Sequence, residues 1–201
     1  MARKSSRASR TGVIALLVLL GALVIPAAAT AEVEIFHRFE AVATANFTVD
    51  ELCDDGRTSR TLVQVIGGHE EESESRVPTL DSDFLTVRIL NFRDCEGNLV
   101  NDRGSGPAEF TFSPSLQTAN VTGTITTRDG RSVTADIAWT GTGPIEVTNN
   151  TTIFEGFTGH FQGMVRDADA SGTVTVNGET LVDGSTANAE IETLEDTNIR
   201  H

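Results

Sequence analysis

The stretch from Ala119 to Thr140 leaves this chain few choices of fold: A-N-V-T-G-T-I-T-T-R-D-G-R-S-V-T-A-D-I-A-W-T. On its first arm Ala119, Val121, Gly123 and Ile125 share one face, and Asn120, Thr122, Thr124 and Thr126 the other. On its second arm Val133, Ala135, Ile137 and Trp139 alternate with Ser132, Thr134, Asp136 and Ala138. Period-two alternation rich in β-branched residues marks half-buried strands. Asp129-Gly130 lies between the arms and predicts a two-residue type I′ turn, which needs positive φ at both central positions. On the inward face of this hairpin Trp139 is a core residue, packing on phenylalanines.

The same pattern extends in both directions. Phe39, Ala41, Ala43, Ala45, Phe47 and Val49 alternate along a long first strand, whose small residues predict the close approach of a facing sheet. Thr61 to Ile66 reads as a strand apolar on both faces and Phe84 to Phe92 as one mixed on both faces. Phe110 and Phe112 form a short strand before Pro114, Ile145 and Val147 another, and Ile153 to Val165 a long one. Val174 to Val176 and Leu181-Val182 flank Asn177-Gly178 as a second tight hairpin, and Ala187, Ala189 and Ile191 supply the last strand. Gly67 to Ser75 and Asn101 to Pro107 read as polar surface loops, and the tail beyond Leu194 as frayed. No segment carries sustained helical periodicity. The chain is predicted to be all-β, an antiparallel β-sandwich or flattened β-barrel of about nine to eleven strands.

Residues 1–31 read as a signal peptide and 32–201 as one domain. Arg3, Lys4, Arg7 and Arg10 precede an apolar core from Val13 to Ile25, and Ala29-Thr30-Ala31 fits a cleavage site. That core is shorter than the roughly 20 residues a membrane-spanning helix needs, so the expectation is a secreted, extracellular protein with no stable membrane anchor. Cleavage would remove four of the 15 basic residues, leaving 11 against 29 acids, a net charge of −18. So acidic a surface argues against nucleic acid as a partner and leaves an unknown extracellular partner or ligand.

The two cysteines, Cys53 and Cys95, predict one disulfide in an exported chain. They lack the His or Cys neighbours of a zinc site. His69-Glu70 opens like a metalloprotease motif, but Ser73 stands where the second His belongs. His160 lies beside Thr158 and Gln162 on one face of a strand. Asp167-Ala-Asp169-Ala-Ser171-Gly172 resembles the opening of a calcium loop, which makes Asp167, Asp169 and Ser171 candidate metal ligands; position twelve, however, is Gly178 rather than a bidentate Glu. An ordinary polar turn explains the run equally well. No catalytic set is assigned and no other cofactor is implied.

The leader, the Cys pair, the Ala-Trp-Thr-Gly-Thr-Gly-Pro run and the Arg-Asp-Ala-Asp-Ala-Ser-Gly-Thr run together resemble uncharacterised exported all-β proteins of bacteria. That resemblance implies the fold and export, but no activity and no site. The leading expectation is a non-enzymatic secreted β-module, binding or structural. One alternative is an extracellular hydrolase using carboxylates such as Asp81, Asp83, Asp167 and Asp169, which would have to oppose one another at about 5–10 Å for glycoside cleavage. The other is a lipocalin-like carrier, which needs a closed barrel with an open apolar interior.

Overall fold

Ten antiparallel strands, and no helix, account for most of residues 33–200, the part of the chain that the computed structural model describes. The leader expected over 1–31 and His201 lie outside the described residues. The strands are β1 (Glu34–Leu52), β2 (Thr58–Glu74), β3 (Val77–Asn91), β4 (Val100–Pro107), β5 (Glu109–Phe112), β6 (Thr118–Thr126), β7 (Ser132–Gly141), β8 (Glu146–Phe154), β9 (Phe157–Val176) and β10 (Glu179–Arg200). They form one sheet in the order β4-β3-β2-β1-β10-β9-β7-β6-β5, with β8 also pairing β9. The path starts on β4 and ends on β5 without pairing them, so the sheet does not close into a barrel. It folds over itself instead. A Cβ added to Gly67 on β2 would lie 2.6 Å from the Val121 Cβ on β6, and one on Gly106 of β4 would lie 3.1 Å from Ile125.

The core fills the space between the two layers. Hairpin β6–β7 has the two faces read from its sequence, but its register, pairing Val121 with Ile137 and Ala119 with Trp139, is one residue off the one a two-residue turn at Asp129-Gly130 would set. Every inward position except half-buried Gly123 and Gly141 is buried. Trp139 is 1% exposed, and its indole N–H donates to the Thr44 carbonyl of β1 at 3.0 Å. Ala41, Ala43 and Ala45, all fully buried, leave room for that approach. Each fully buried Val, Leu or Ile contributes about 1.5–3 kcal/mol, and Val63, Val65, Leu85, Val87, Ile137, Val174 and Ile191 all lie in this layer.

Several expectations need correction. The β6–β7 turn is not type I′. Among its residues only Gly130 has positive φ (80°), and Gly130 N donates to Thr127 O while Thr127 N donates to Arg131 O. This is a three-residue loop ending in a left-handed glycine, repeated at Cys53–Arg57 with Gly56 and at Asp94–Asn98 with Gly97. The true two-residue type I′ turn with glycine is Asn177-Gly178, where φ is 51° and 87°. Residues 67–75 are not a loop. They continue β2 through Glu74 between β1 and β3, closed by Ser75-Arg76 at φ 49° and 71°. Asn101–Pro107 is strand β4, paired with β3. The strand expected over Ile153–Val165 is broken by a turn at Glu155-Gly156 into the end of β8 and the start of β9. The tail beyond Leu194 is held in β10 up to Arg200 by pairing on both sides.

Cys53 and Cys95 form a disulfide with a Cα–Cα distance of 5.3 Å, 42 residues apart in sequence. It ties the turn after β1 to the turn after β3. The Arg57 guanidinium reinforces the link by donating to the Asp94 and Cys95 carbonyls at 3.2 and 3.0 Å. Loop-closure entropy gives such a bridge an upper value of about 4 kcal/mol. Reduction is therefore expected to lower the urea midpoint of unfolding by several kcal/mol equivalent without changing the far-ultraviolet circular dichroism of the folded state. An unchanged midpoint contradicts the structural role.

Candidate functional site

Paired residues in neighbouring strands share a face, so the inner face can be followed outward from the core row by row. The row at Ala41 reads Asp83, His69, Ala41, Thr193, Met164 and Val147 across β3, β2, β1, β10, β9 and β8. Beyond it lies the row Asp81, Glu71, Phe39, Glu195, Gln162 and Asn149. Then come Ser73, His37, Thr197, His160 and Thr151, and finally Ile35, Ile199, Thr158 and Ile153. These six strands outrun the core layer. Their inner face passes within a few residues from a filled apolar interior to an open, mixed polar surface.

All three described histidines stand on this face. His69 Nδ1 is 2.8 Å from Asp83 Oδ1, and Asp83 Oδ2 accepts the Phe110 backbone N–H at 3.2 Å. The ring of Phe39 lies 6.4 Å from the His69 ring and 5.8 Å from that of Phe112, which in turn stacks on Phe110 at 6.0 Å. Those phenylalanines form the last step of the core beneath β5. Farther out, His37 Nε2 is 3.2 Å from Glu195 Oε1, and His160 Nδ1 is 3.2 Å from the Thr151 hydroxyl. A hollow of about 240 Å³ lies beside them, bordered by Asn149, Thr151, His160, Gln162, Glu195 and Thr197.

His37 and His160 share a row but stand two strands apart, about 10 Å by strand spacing. No group of three or more His, Cys, Asp or Glu that could hold a metal occurs among the described residues. His69 and Asp83 make the base-and-orienter half of a triad. Among the described residues, however, no hydroxyl is hydrogen-bonded to His69.

The sequence candidates are placed as follows. Asp167, Asp169 and Ser171 lie within β9, not in a loop, so the calcium-loop geometry expected for them is not formed. Their neighbours Ala168 and Ala170 point into the core, which turns these three exposed side chains to the outer face. Alternate residues on one strand face are about 6.6 Å apart, so they do not converge as loop oxygens do. Asp81 and Asp83 stand on the inner face, so the four carboxylates named for a hydrolase are not brought together. His37, Phe39 and Glu195 were missed as site residues. Their signal is present: Ile35, His37 and Phe39 continue the odd-numbered face of Ala41, Ala43 and Ala45.

The outer face of the same strands is acidic. Arg38 faces Glu40, Glu70 and Glu72 at 3.4, 3.8 and 3.6 Å. Half-buried Glu192 has its pKa raised, first by burial and then by the charges of Glu190 and Glu40. A carboxyl whose pKa rises on folding opposes folding once ionised, and this opposition fades as pH falls through the raised value. Glu192→Gln is therefore expected to raise the urea midpoint at neutral pH, with the gain shrinking toward zero in the acid range where the wild-type carboxyl is protonated. A gain independent of pH, or a loss at neutral pH, contradicts this reading.

No protein-family model and no curated protein matches the chain. Among solved structures it is similar to a Nitrosomonas europaea protein provisionally designated AttH, with 14% identity over 84% of this chain and a TM-score of 0.25. The match spans 51% of that protein, so this chain corresponds to about half of its length.

Proposed function

We propose that this chain is a secreted, non-enzymatic β-module that recognises its ligand on the open inner face of the long strands. The observation that carries the reading is the run of inner-face rows beyond Ala41. There amide, hydroxyl, imidazole and carboxylate side chains stand on a paired six-strand platform that, among the described residues, no second strand layer covers beyond Phe112. Side chains held on strands keep their spacing, which suits recognition by hydrogen bonds. With Trp139 and its neighbours filling the space between the layers, the geometry favours surface recognition over carriage inside a barrel. A disulfide is consistent with an extracellular or periplasmic protein, and export is part of the proposal.

The chemistry of the face indicates the ligand class. Glu71, Asp81 and Glu195 supply negative charge, and Asn149, Thr151, Gln162 and Thr197 supply neutral donors and acceptors. A neutral or cationic ligand rich in hydrogen-bonding groups fits this set, whereas an anion would meet carboxylates. The test is protein-observed NMR with two probe panels, neutral oligosaccharides and lysine-containing oligopeptides. Shifts are expected at His37, His160, Gln162 and Thr197, and to be lost in Glu195→Ala with His160→Ala. Shifts confined to the outer face, no shifts with either panel, or conversion of a probe to product would overturn the proposal.

A further inference from the structure

Sheet edges are templates for pairing with another chain, and proteins blunt them with proline, charge, bulges or shortness. Most edge segments of this sheet carry such devices. The free part of β3, from Val77 to Asp83, has Pro78, a register shift opposite Glu72/Ser73, and the acids Asp81 and Asp83. β4 ends in Pro107, and its Arg103 carbonyl accepts the Arg128 N–H at 2.8 Å. β5 has only four residues.

β8 differs. Its nine residues, Glu146-Val-Thr-Asn-Asn-Thr-Thr-Ile-Phe154, contain no proline, no cation and one acid at the very end. It pairs β9 in unbroken register. Eight of the nine residues are exposed, with Val147 at 54%, Ile153 at 73% and Phe154 at 69%. Phe154 and Phe157 close the turn at Glu155-Gly156. As the hydrogen-bonded pair of a two-residue turn they set the alternation along β8. Val147, Asn149, Thr151 and Ile153 then direct their backbone N–H and C=O groups to the open side.

We propose that β8 is where two copies of this chain pair, as antiparallel strands about a two-fold axis at Asn150. The sequence is self-complementary about that residue. Asn149 falls opposite Thr151, Thr148 opposite Thr152 and Val147 opposite Ile153, so from 147 to 153 polar meets polar and apolar meets apolar, and only the terminal Glu146–Phe154 pair is unlike. The four residues with open backbone groups pair only with one another, which completes every free hydrogen bond from Val147 to Ile153. No like charges on β8 face each other at this contact. Glu146 stands four residues from the axis, so the two Glu146 side chains are about 27 Å apart along the strands, well beyond the screening length of about 8 Å. Pairing there extends the inner face of one copy into that of the other, with His160 and Thr151 near the axis, and it does not depend on what that face binds. A single strand contact is smaller than a standard interface of ~1,600 Å², so association is expected in the micromolar range.

Because Asn149-Asn-Thr151 and Asn150-Thr-Thr152 match the N-glycosylation acceptor pattern, the test is sedimentation equilibrium of unglycosylated protein from about 1 to about 500 µM, with two variants. Asn150→Lys sets two ammonium groups opposite each other at the axis and is expected to weaken the dimer at least about tenfold while leaving circular dichroism and melting unchanged. Asn150→Cys places two thiols on a non-hydrogen-bonded pair with Cα atoms about 4.5 Å apart. It is expected to cross-link into dimers without reductant, whereas Thr111→Cys on β5 does not. The proposal is overturned if the wild type stays monomeric throughout, if an added extended peptide pairs with β8 in place of a second copy, or if the dimer survives Asn150→Lys undiminished. Should Asn150→Lys fail to fold, the contrast between the two cysteine variants decides.

Discussion

A single sheet that folds over itself without closing must be held at its edges by something other than the strand ladder, and here a buried carboxylate does this. Asp102 on β4 is fully buried. It accepts the Arg103 N–H at 2.9 Å, the Thr127 hydroxyl at 2.6 Å and the Asp129 N–H at 3.2 Å, with Arg131 Nε at 3.6 Å. An unpaired charge in that position would cost several kcal/mol, and its partners offset the cost only while the β6–β7 turn stays against β4. Gly104 lets the backbones approach, since a Cβ there would lie 2.7 Å from the Thr126 carbonyl oxygen. Near the far end of the seam Asp83 acts in the same way, taking the Phe110 N–H on its side chain and the Ala108 N–H on its backbone carbonyl. With the seam held, β6 and β7 lie over β1 to β3, and Trp139 reaches the Thr44 carbonyl.

The seam also explains why the molecule has two unlike ends. The disulfide turns and the β6–β7 loop gather where the layers face each other, and apolar side chains fill the gap. Toward the other end β1, β2, β9 and β10 run on, and among the described residues no strand layer covers them. Asp83 lies at this boundary, bonded on one oxygen to the strand that covers the core and on the other to His69, which opens the polar rows. Structural clamp and candidate site therefore share one residue.

Much of the fold could be read from the chain because burial on one face writes itself as alternation. Ala119–Thr140 shows its two faces, its inward Trp139 and its outward threonines, and Cys53 with Cys95 shows the staple. The strand extensions could not be read in this way. Gly67 and Gly68 are buried but have no side chain to carry an apolar signal, and His69–Glu74 are polar, so Gly67–Ser75 has the composition of a loop although two neighbours pair it as far as Glu74. Asn101–Pro107 is hidden for a different reason: its inward position at Asp102 is a carboxylate, whose partners other than the adjacent Arg103 N–H lie 25 to 29 residues away in sequence. The same distance hides the turn type at Asp129-Gly130, where Asp102 receives the Asp129 N–H. Of the candidate site, His160 and its strand face were visible, whereas His37, Glu195 and the His69–Asp83 contact join residues whose meeting depends on register alone.

The most direct measurement on this account is the equilibrium unfolding of Asp102→Ala in urea. Removing the carboxylate leaves the buried Thr127 hydroxyl, the Arg103 and Asp129 N–H groups and partly exposed Arg131 without their acceptor. The expected loss is about 2–4 kcal/mol, with backbone amide exchange rising first at Arg128 and Asp129. A loss below about 1 kcal/mol, the size of one ordinary hydrogen bond, with the seam amides still protected, would contradict it.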